Sequence, residues 1–201
     1  PDLLAADGPG ALAPVWQAVA LRGGWQGELR LRRRNGQTYP AWLMVSPVRE
    51  GPGHVSHVIL TSIDVTDRHR SEARIRFLAQ HDVLTELPNR RLCVERLGAA
   101  LSSARASGRR VGVLFIDLDR FKTINDSLGH HVGDGLLRSV SRRLLEAVRG
   151  RDTVCRLGGD EFVVILQDVQ NHEEIRHIVD ERLVPRIRAP HDVGGAELHV
   201  S

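Results

Sequence analysis

The sequence predicts an α+β fold: a sheet flanked by helices, preceded by a smaller antiparallel sheet. Three observations carry this. Residues 111–118 (Val-Gly-Val-Leu-Phe-Ile-Asp-Leu) are nearly all apolar, the mark of a central strand covered on both faces. Two apolar, β-prone runs, 154–157 and 162–166, flank Gly158-Gly159-Asp160-Glu161 and read as a tight hairpin, because glycine supplies the positive φ that such turns need. Helical patterns surround these strands in the order αβαββαβ, which fits an antiparallel-containing sheet with helices on one face.

Composition divides the chain. Its 201 residues are 41% hydrophobic and 26% charged, enough for one or two ordinary cores. Trp16, Trp25, Trp42 and the single tyrosine, Tyr39, all fall in the first 42 residues, which suggests two modules. The formal charge is only +3 and Lys122 is the single lysine, so charge gives little reason to expect a nucleic-acid partner, and none is expected. Cys93 and Cys155 stand in no Cys-x-x-Cys pair, which indicates neither a disulfide framework nor a zinc site. No apolar run reaches the ~18 residues that span a bilayer, and no signal peptide is visible. The expected location is cytoplasmic. The chain starts at Pro1 and ends at Ser201 inside an expected strand, so it reads as a piece of a longer protein, with a membrane anchor upstream left open.

In chain order, a short helix is expected around 15–21, then strands over 26–33 and 38–45 joined at Asn35-Gly36. Gly51-Pro52-Gly53 turns the chain into a third strand over 55–65. Residues 66–80 form a helical pattern with a Thr or Asp N-cap and Ile75, Leu78 and Ala79 on one stripe, either a parallel dimer connector or a plain linker. Pro88-Asn89 breaks the chain before a helix over 90–107 that Gly108 ends. A helix over 134–149 follows, with Leu136, Leu137, Val140, Leu144, Leu145 and Val148 on one face. A third helix spans about 172–183 and closes at Pro185. Residues 198–201 begin another strand.

The chemistry gathers in the second module. Adjacent Asp160 and Glu161 at a hairpin tip repel each other, a conflict that a divalent cation or basic ligand resolves; the bland alternative is a solvated acidic turn. Asp117 and Asp119 end the apolar strand, and alternation points them to the same side. If the hairpin pairs beside this strand, Asp117 meets Asp160 and Glu161 at one sheet edge. Oxygen ligands on neighbouring strands suit Mg²⁺, which accepts one or two carboxylates and completes its shell with phosphate and water, so metal-assisted phosphoryl or nucleotidyl transfer is the natural class. Lys122 offers a compact ammonium for a phosphate, or is a surface lysine. Asn125 and Asp134 together can read a purine edge, since an amide both donates and accepts while a carboxylate accepts from guanine N–H groups. Helix capping is the alternative for Asn125, Asp126 and Asp134.

Two resemblances follow. Trp25-Gln-Gly-Glu28, Arg34-Asn-Gly36 and Asp64-Val-Thr66 make residues 12–67 resemble the C-terminal half of a PAS sensory domain, giving a partial sensory domain over 1–67 and a helical linker over 68–80. Leu84-Thr85, Leu87-Pro-Asn-Arg90, Asp117-Leu-Asp119, Phe121-Lys122, Ile124-Asn-Asp126, Gly129-His130, Gly133-Asp134 and Arg156-Leu-Gly-Gly-Asp-Glu-Phe162 make residues 81–201 resemble the GGDEF family of diguanylate cyclases. That resemblance implies condensation of two GTP into cyclic di-GMP with loss of two pyrophosphates, in a homodimer formed through the linker helix and PAS part. It implies Mg²⁺ (or Mn²⁺) on Asp117, the Leu118 carbonyl and Asp160, with Glu161 at the metal and the attacking hydroxyl as ligand or proton acceptor. Asn125 and Asp134 would hold guanine, and Lys122 would meet the phosphates. His130, Gly158 and Gly159 would complete the substrate site, the glycines admitting nucleotide close to the backbone. Arg149-Gly-Arg-Asp152 matches the family's RxxD inhibitory site, where Arg149 and Asp152 bind the product; a helix-end salt bridge is the alternative. Two departures stand out. Glu86 replaces the glycine usual between Thr85 and Leu87, and the chain stops before the family's last strands and helix, an expected C-terminal truncation that leaves an open sheet edge. The other function class is a silent GTP- or cyclic-di-GMP-binding module attached to a phosphodiesterase domain in the parent chain.

Overall fold

The computed structural model describes residues 9–51 and 54–200. The chain divides into two compact units, Pro1–Ile75 and Arg76–Ser201.

In the first unit, helix α1 (Ala13–Arg22) ends at Gly23 in the left-handed region. Strands β1 (Trp25–Arg32), β2 (Thr38–Arg49) and β3 (Val55–Asp64) follow, antiparallel in the order β1-β2-β3. Strand alternation buries Leu31, Ala41, Leu43 and Val45 on one face, where Val15 and Val19 of α1 pack against Val45. The Asn35-Gly36 turn is wider than a two-residue loop: Arg33 N–H donates to Gln37 O at 2.7 Å and Gly36 takes φ 86°. β2 runs past the expected end at 45 because its register with β3 continues through Pro47↔Val58 and Val48↔His57. The turn expected at Gly51-Pro52-Gly53 lies partly outside the described residues. Helix α2 (Thr66–Gln80) spans the expected residues. Asp64 caps it, its carboxylate accepting from Thr66 N–H at 2.9 Å and pairing with Arg33. None of its described residues is buried, so Ile75 and Leu78 stay exposed.

In the second unit, helix α3 (Arg90–Ser107) has the expected bounds. Asn89 Oδ1 accepts from Arg91 and Leu92 N–H, and Gly108 takes φ 69° at the other end. Strands β4 (Arg110–Ile116), β5 (Thr153–Gly158) and β6 (Glu161–Val169) pair antiparallel in the order β4-β6-β5. Helices cover both faces rather than the expected one. Val154, Phe162, Val164 and Leu166 join the core beneath α5 (His130–Ala147), while Cys155, Val163 and Ile165 pack with Cys93 and Ala100 of α3. β4 is an edge strand of the described sheet, not a strand covered on both faces: Phe115 is 78% and Val113 38% exposed. Apolar composition alone does not distinguish a buried strand from an edge strand whose outer face is bare.

Three further expectations are corrected. Residues 121–128, for which the sequence pattern assigns no element, form helix α4 (Phe121–Leu128), and α5 starts at His130 rather than 134, so Asp134 lies inside α5 and is not its N-cap. The third helix does not close at Pro185. α6 (His172–Ile178) passes into a π-helical turn, Val179–Leu183, and then α7 (Val184–Arg188), where Pro185 occupies the first turn, the one helical place that needs no N–H from it. The strand expected from 198 ends at Leu198 instead of beginning there (Ser201 lies outside the described residues): the chain makes a small hairpin, β7 (His191–Val193) with β8 (Ala196–Leu198), turned by Gly194 and Gly195 at positive φ. The loop before α3 holds Glu86 at φ 59°. Left-handed backbone costs a residue with a Cβ about 1–2 kcal/mol, part of which glycine returns as unfolded-chain entropy. Glu86→Gly is expected to stabilise the protein by roughly 0.5–1 kcal/mol, read from urea unfolding.

Candidate active site

The site forms where the β5–β6 hairpin meets the end of β4. Gly158 pairs with Glu161, leaving Gly159-Asp160 as a two-residue turn, with Gly158 at φ 147° and Gly159 at φ 55°. A Cβ at either glycine would meet no atom within 4 Å, so backbone conformation, not space, selects glycine here, and the turn stays open to a ligand. β6 pairs directly with β4, Ile116 facing Phe162, as the carboxylate argument requires. Asp117 and Leu118 follow β4 immediately, and Asp117 and Glu161 line one cleft of about 350 Å³ with Arg90, Phe115, Ile116, Leu157 and Phe162. Arg90 Nη2 lies 4.0 Å from Glu161 Oε2 and brings positive charge to this cleft.

Asp160 and Asp119, the other two carboxylates of this region, lie outside that lining. Asp160 sits on the tip, partly buried, and does not line this cleft. Asp119 turns away from Asp117 into a separate cleft with Arg120, His199 and Val200, because the strand ends at Ile116 and alternation no longer applies. Among the described residues, no three His, Cys, Asp or Glu side chains gather to hold a metal. Two carboxylates on neighbouring strands are a donor set that fits Mg²⁺ arriving with a phosphate-bearing substrate, rather than a closed protein cage.

The tip is braced from behind by Arg156. Its Nε and Nη2 donate to Gly159 O at 3.0 and 2.6 Å, and its Nη1 donates to Asp82 Oδ1 at 2.8 Å, with the Arg156 side chain only 10% exposed. Burial works to raise the Asp82 carboxyl, but hydrogen bonds from Thr85 and Arg156 outweigh it and hold the group below the usual aspartate value. Sequence reasoning assigned roles to neither Arg90 nor Arg156. For Arg156 the available signal was an arginine in an apolar strand, which must find acceptors.

Beyond the cleft, α4 and α5 pack closely. Asn125 Oδ1 is buried and accepts no hydrogen bond among the described residues, an orphaned acceptor of the kind a ligand donor satisfies. A Cβ on Gly133 would come within 1.9 Å of that oxygen and 3.3 Å of the Phe121 ring. Gly133→Ala is therefore expected to cost about 1–3 kcal/mol and to displace Asn125, seen as a lowered Tm. Asp134 follows Gly133 in α5 and is half-buried. Lys122 is exposed on the first turn of α4, whose N-terminus has no side-chain cap, and His130 is exposed at the start of α5. Arg120, just before α4, is held at φ 62°.

Arg149 and Asp152 do not form a helix-end salt bridge with each other. Asp152 accepts from Arg149 N–H at 2.9 Å and Gln167 N–H at 3.0 Å, while the Arg149 guanidinium pairs with Glu174 of α6 at 3.0 Å.

Fold and site together define an α+β domain that presents carboxylates at a glycine hairpin beside a small pair of packed helices. The chain belongs to the GGDEF family: the family model described as "Diguanylate cyclase, GGDEF domain" matches residues 79–201. It is 43% identical over 141 residues to the bifunctional diguanylate cyclase/cyclic di-GMP phosphodiesterase MucR of Pseudomonas aeruginosa, covering 70% of this chain and 20% of MucR. It is 32% identical over 185 residues to the probable diguanylate cyclase DgcE of Escherichia coli, covering 92% of this chain and 17% of DgcE. The chain thus spans about a fifth of the length of these relatives. Among solved structures, the GGDEF domain of TpbB from Pseudomonas aeruginosa aligns with TM-score 0.58 and 40% identity, covering 60% of this chain and 70% of that one. The coiled coil and GGDEF domain of DgcB from Caulobacter crescentus, solved in complex with c-di-GMP, aligns with TM-score 0.56 and 25% identity, covering 67% and 73%.

Proposed function

We propose that this chain carries the catalytic domain of a sensor-regulated diguanylate cyclase. The observation that carries the reading is the pairing of β4 with β6, which sets Asp117 and Glu161 across one cleft at the glycine turn. Asp117, the Leu118 carbonyl, Asp160 and Glu161 would hold Mg²⁺ (or Mn²⁺), which would neutralise phosphate charge. Glu161 faces the attacking hydroxyl. Asn125 and Asp134 take the guanine, and the orphaned Asn125 oxygen is the acceptor this needs. Lys122 and His130 lie on the approach to the phosphates. Each of two paired domains holds one GTP, and the two 3′-hydroxyls attack opposing α-phosphates, forming two phosphodiester bonds and releasing two pyrophosphates. Pairing uses α2, whose Ile75 and Leu78 are exposed, together with the β1–β3 unit read as half of a PAS domain. Arg149 and Asp152 receive the product for feedback inhibition.

The protein is expected to form cyclic di-GMP and two pyrophosphates per product from GTP with Mg²⁺, and none with chelator, read by chromatography and a pyrophosphate assay. GTP binding without turnover would instead assign a regulatory module. No helix among the described residues is long and apolar enough to cross a membrane.

A further inference from the structure

We propose that Glu174 is an internal competitor for the product site, its carboxylate occupying the Arg149 guanidinium that the guanine of cyclic di-GMP would otherwise engage. This rests on the reading of Arg149 and Asp152 as that site. Arg149 leaves the end of α5, and its Nη1 donates to Glu174 Oε1 at 3.0 Å, with the two side chains 39% and 22% exposed. The carboxylate is fixed independently of the arginine. Glu174 Oε2 accepts from Gln170 N–H at 2.9 Å, and its own N–H is capped by Asn171 Oδ1 at 2.9 Å. The Gln170 N–H, and after it Arg149, overcome the effect of burial and hold the Glu174 carboxyl below its usual value, so it is ionised throughout the neutral range.

The two halves of the site differ in how they meet a ligand. Asp152 is held by two backbone N–H groups, one on each oxygen, and each oxygen keeps a lone pair for a guanine N–H. Arg149 has already spent a donor on a carboxylate, the strongest acceptor a side chain offers. Guanine presents O6 and N7, neutral acceptors, to the same group. Product binding therefore exchanges a charge-assisted hydrogen bond for a weaker one, and that difference is subtracted from the product's affinity. Glu174 in this way sets the cyclic di-GMP concentration at which feedback begins. Asn171 supplies the α6 N-cap, and Glu174 Oε2 accepts the return bond from Gln170 N–H, which a glutamine can keep.

The test is calorimetric titration of cyclic di-GMP into the full chain and its variants. Glu174→Gln keeps an acceptor for Gln170 N–H and removes the charge, and is expected to tighten binding roughly three- to tenfold. Glu174→Asp shortens the reach to Arg149 and is expected to tighten it less; it decides the matter should the glutamine variant fold poorly. Unchanged or weakened affinity in the folded variants overturns the proposal, weakening meaning that Glu174 organises Arg149. Arg149→Ala and Asp152→Ala separate the two readings. If both bind cyclic di-GMP as the parent does, the product site itself is misplaced; if both lose binding while Glu174→Gln changes nothing, only the competitor falls.

Discussion

Asp160→Asn is expected to lower cyclic di-GMP synthesis by on the order of 10²–10³-fold while leaving the fold intact. The substitution keeps size and hydrogen-bonding capacity at a turn position already half open to water, so unfolding should not register it. It removes one negative charge from the group of residues proposed to hold Mg²⁺ beside the phosphate. Asp117 and Glu161 still line the cleft, so nucleotide binding should persist more strongly than turnover. Turnover within a few-fold of the parent, measured with saturating GTP and Mg²⁺, would remove Asp160 from the metal set and leave the two cleft carboxylates to act alone.

Arg156→Ala should produce the largest loss of stability, about 3–5 kcal/mol by urea unfolding. The guanidinium is nearly enclosed and serves two acceptors at once, so its removal strands the Asp82 carboxylate and frees the Gly159 carbonyl. Arg156→Lys should recover only part of this, because one ammonium does not reproduce a planar fork spanning Asp82 and the turn. The pair also carries a pH signature. Asp82 is held below the usual aspartate value of about 3.9, so its stabilisation is fully present above that pH and is lost as pH falls through the lower folded value. Arg156→Ala should flatten this acid limb; an unchanged limb would show that Arg156 contributes little to Asp82's ionisation.

The sequence revealed elements that local signals bound on both sides. Asn89 and Gly108 bracket α3, and two glycines between β-prone runs mark the β5–β6 hairpin, so both are legible. Helix α4 is not, because the polar Lys122, Asn125 and Asp126 break up a short apolar pattern, although Phe121, Ile124 and Leu128 recur at helical spacing. The β7–β8 hairpin was missed although Gly194-Gly195 is a turn signal, since its three-residue strands are too short for alternation to register. Which apolar strand is an edge, and which faces the helices cover, depends on long-range pairing that no local pattern contains. The same holds for the site. Asp117, Glu161 and Asn125 could be named from residue type and order, whereas the Arg156 brace and the Arg149–Glu174 pair join residues 74 and 25 positions apart.

Asn89 does more than begin a helix. While its oxygen caps α3, its Nδ2 donates to Ala79 O at 3.1 Å and its backbone N–H to Gln80 O at 2.9 Å, both in the last turn of α2. Between these helices His81 bridges to Pro88, Asp82 N–H donates to Leu87 O, and Pro88 O accepts from Arg156 N–H. In mechanical terms this is a keyed coupling with little backlash, not a swivel. The last turn of α2 is thus tied to the root of α3 and, through Arg156, to the carbonyl of Gly159 by consecutive hydrogen bonds.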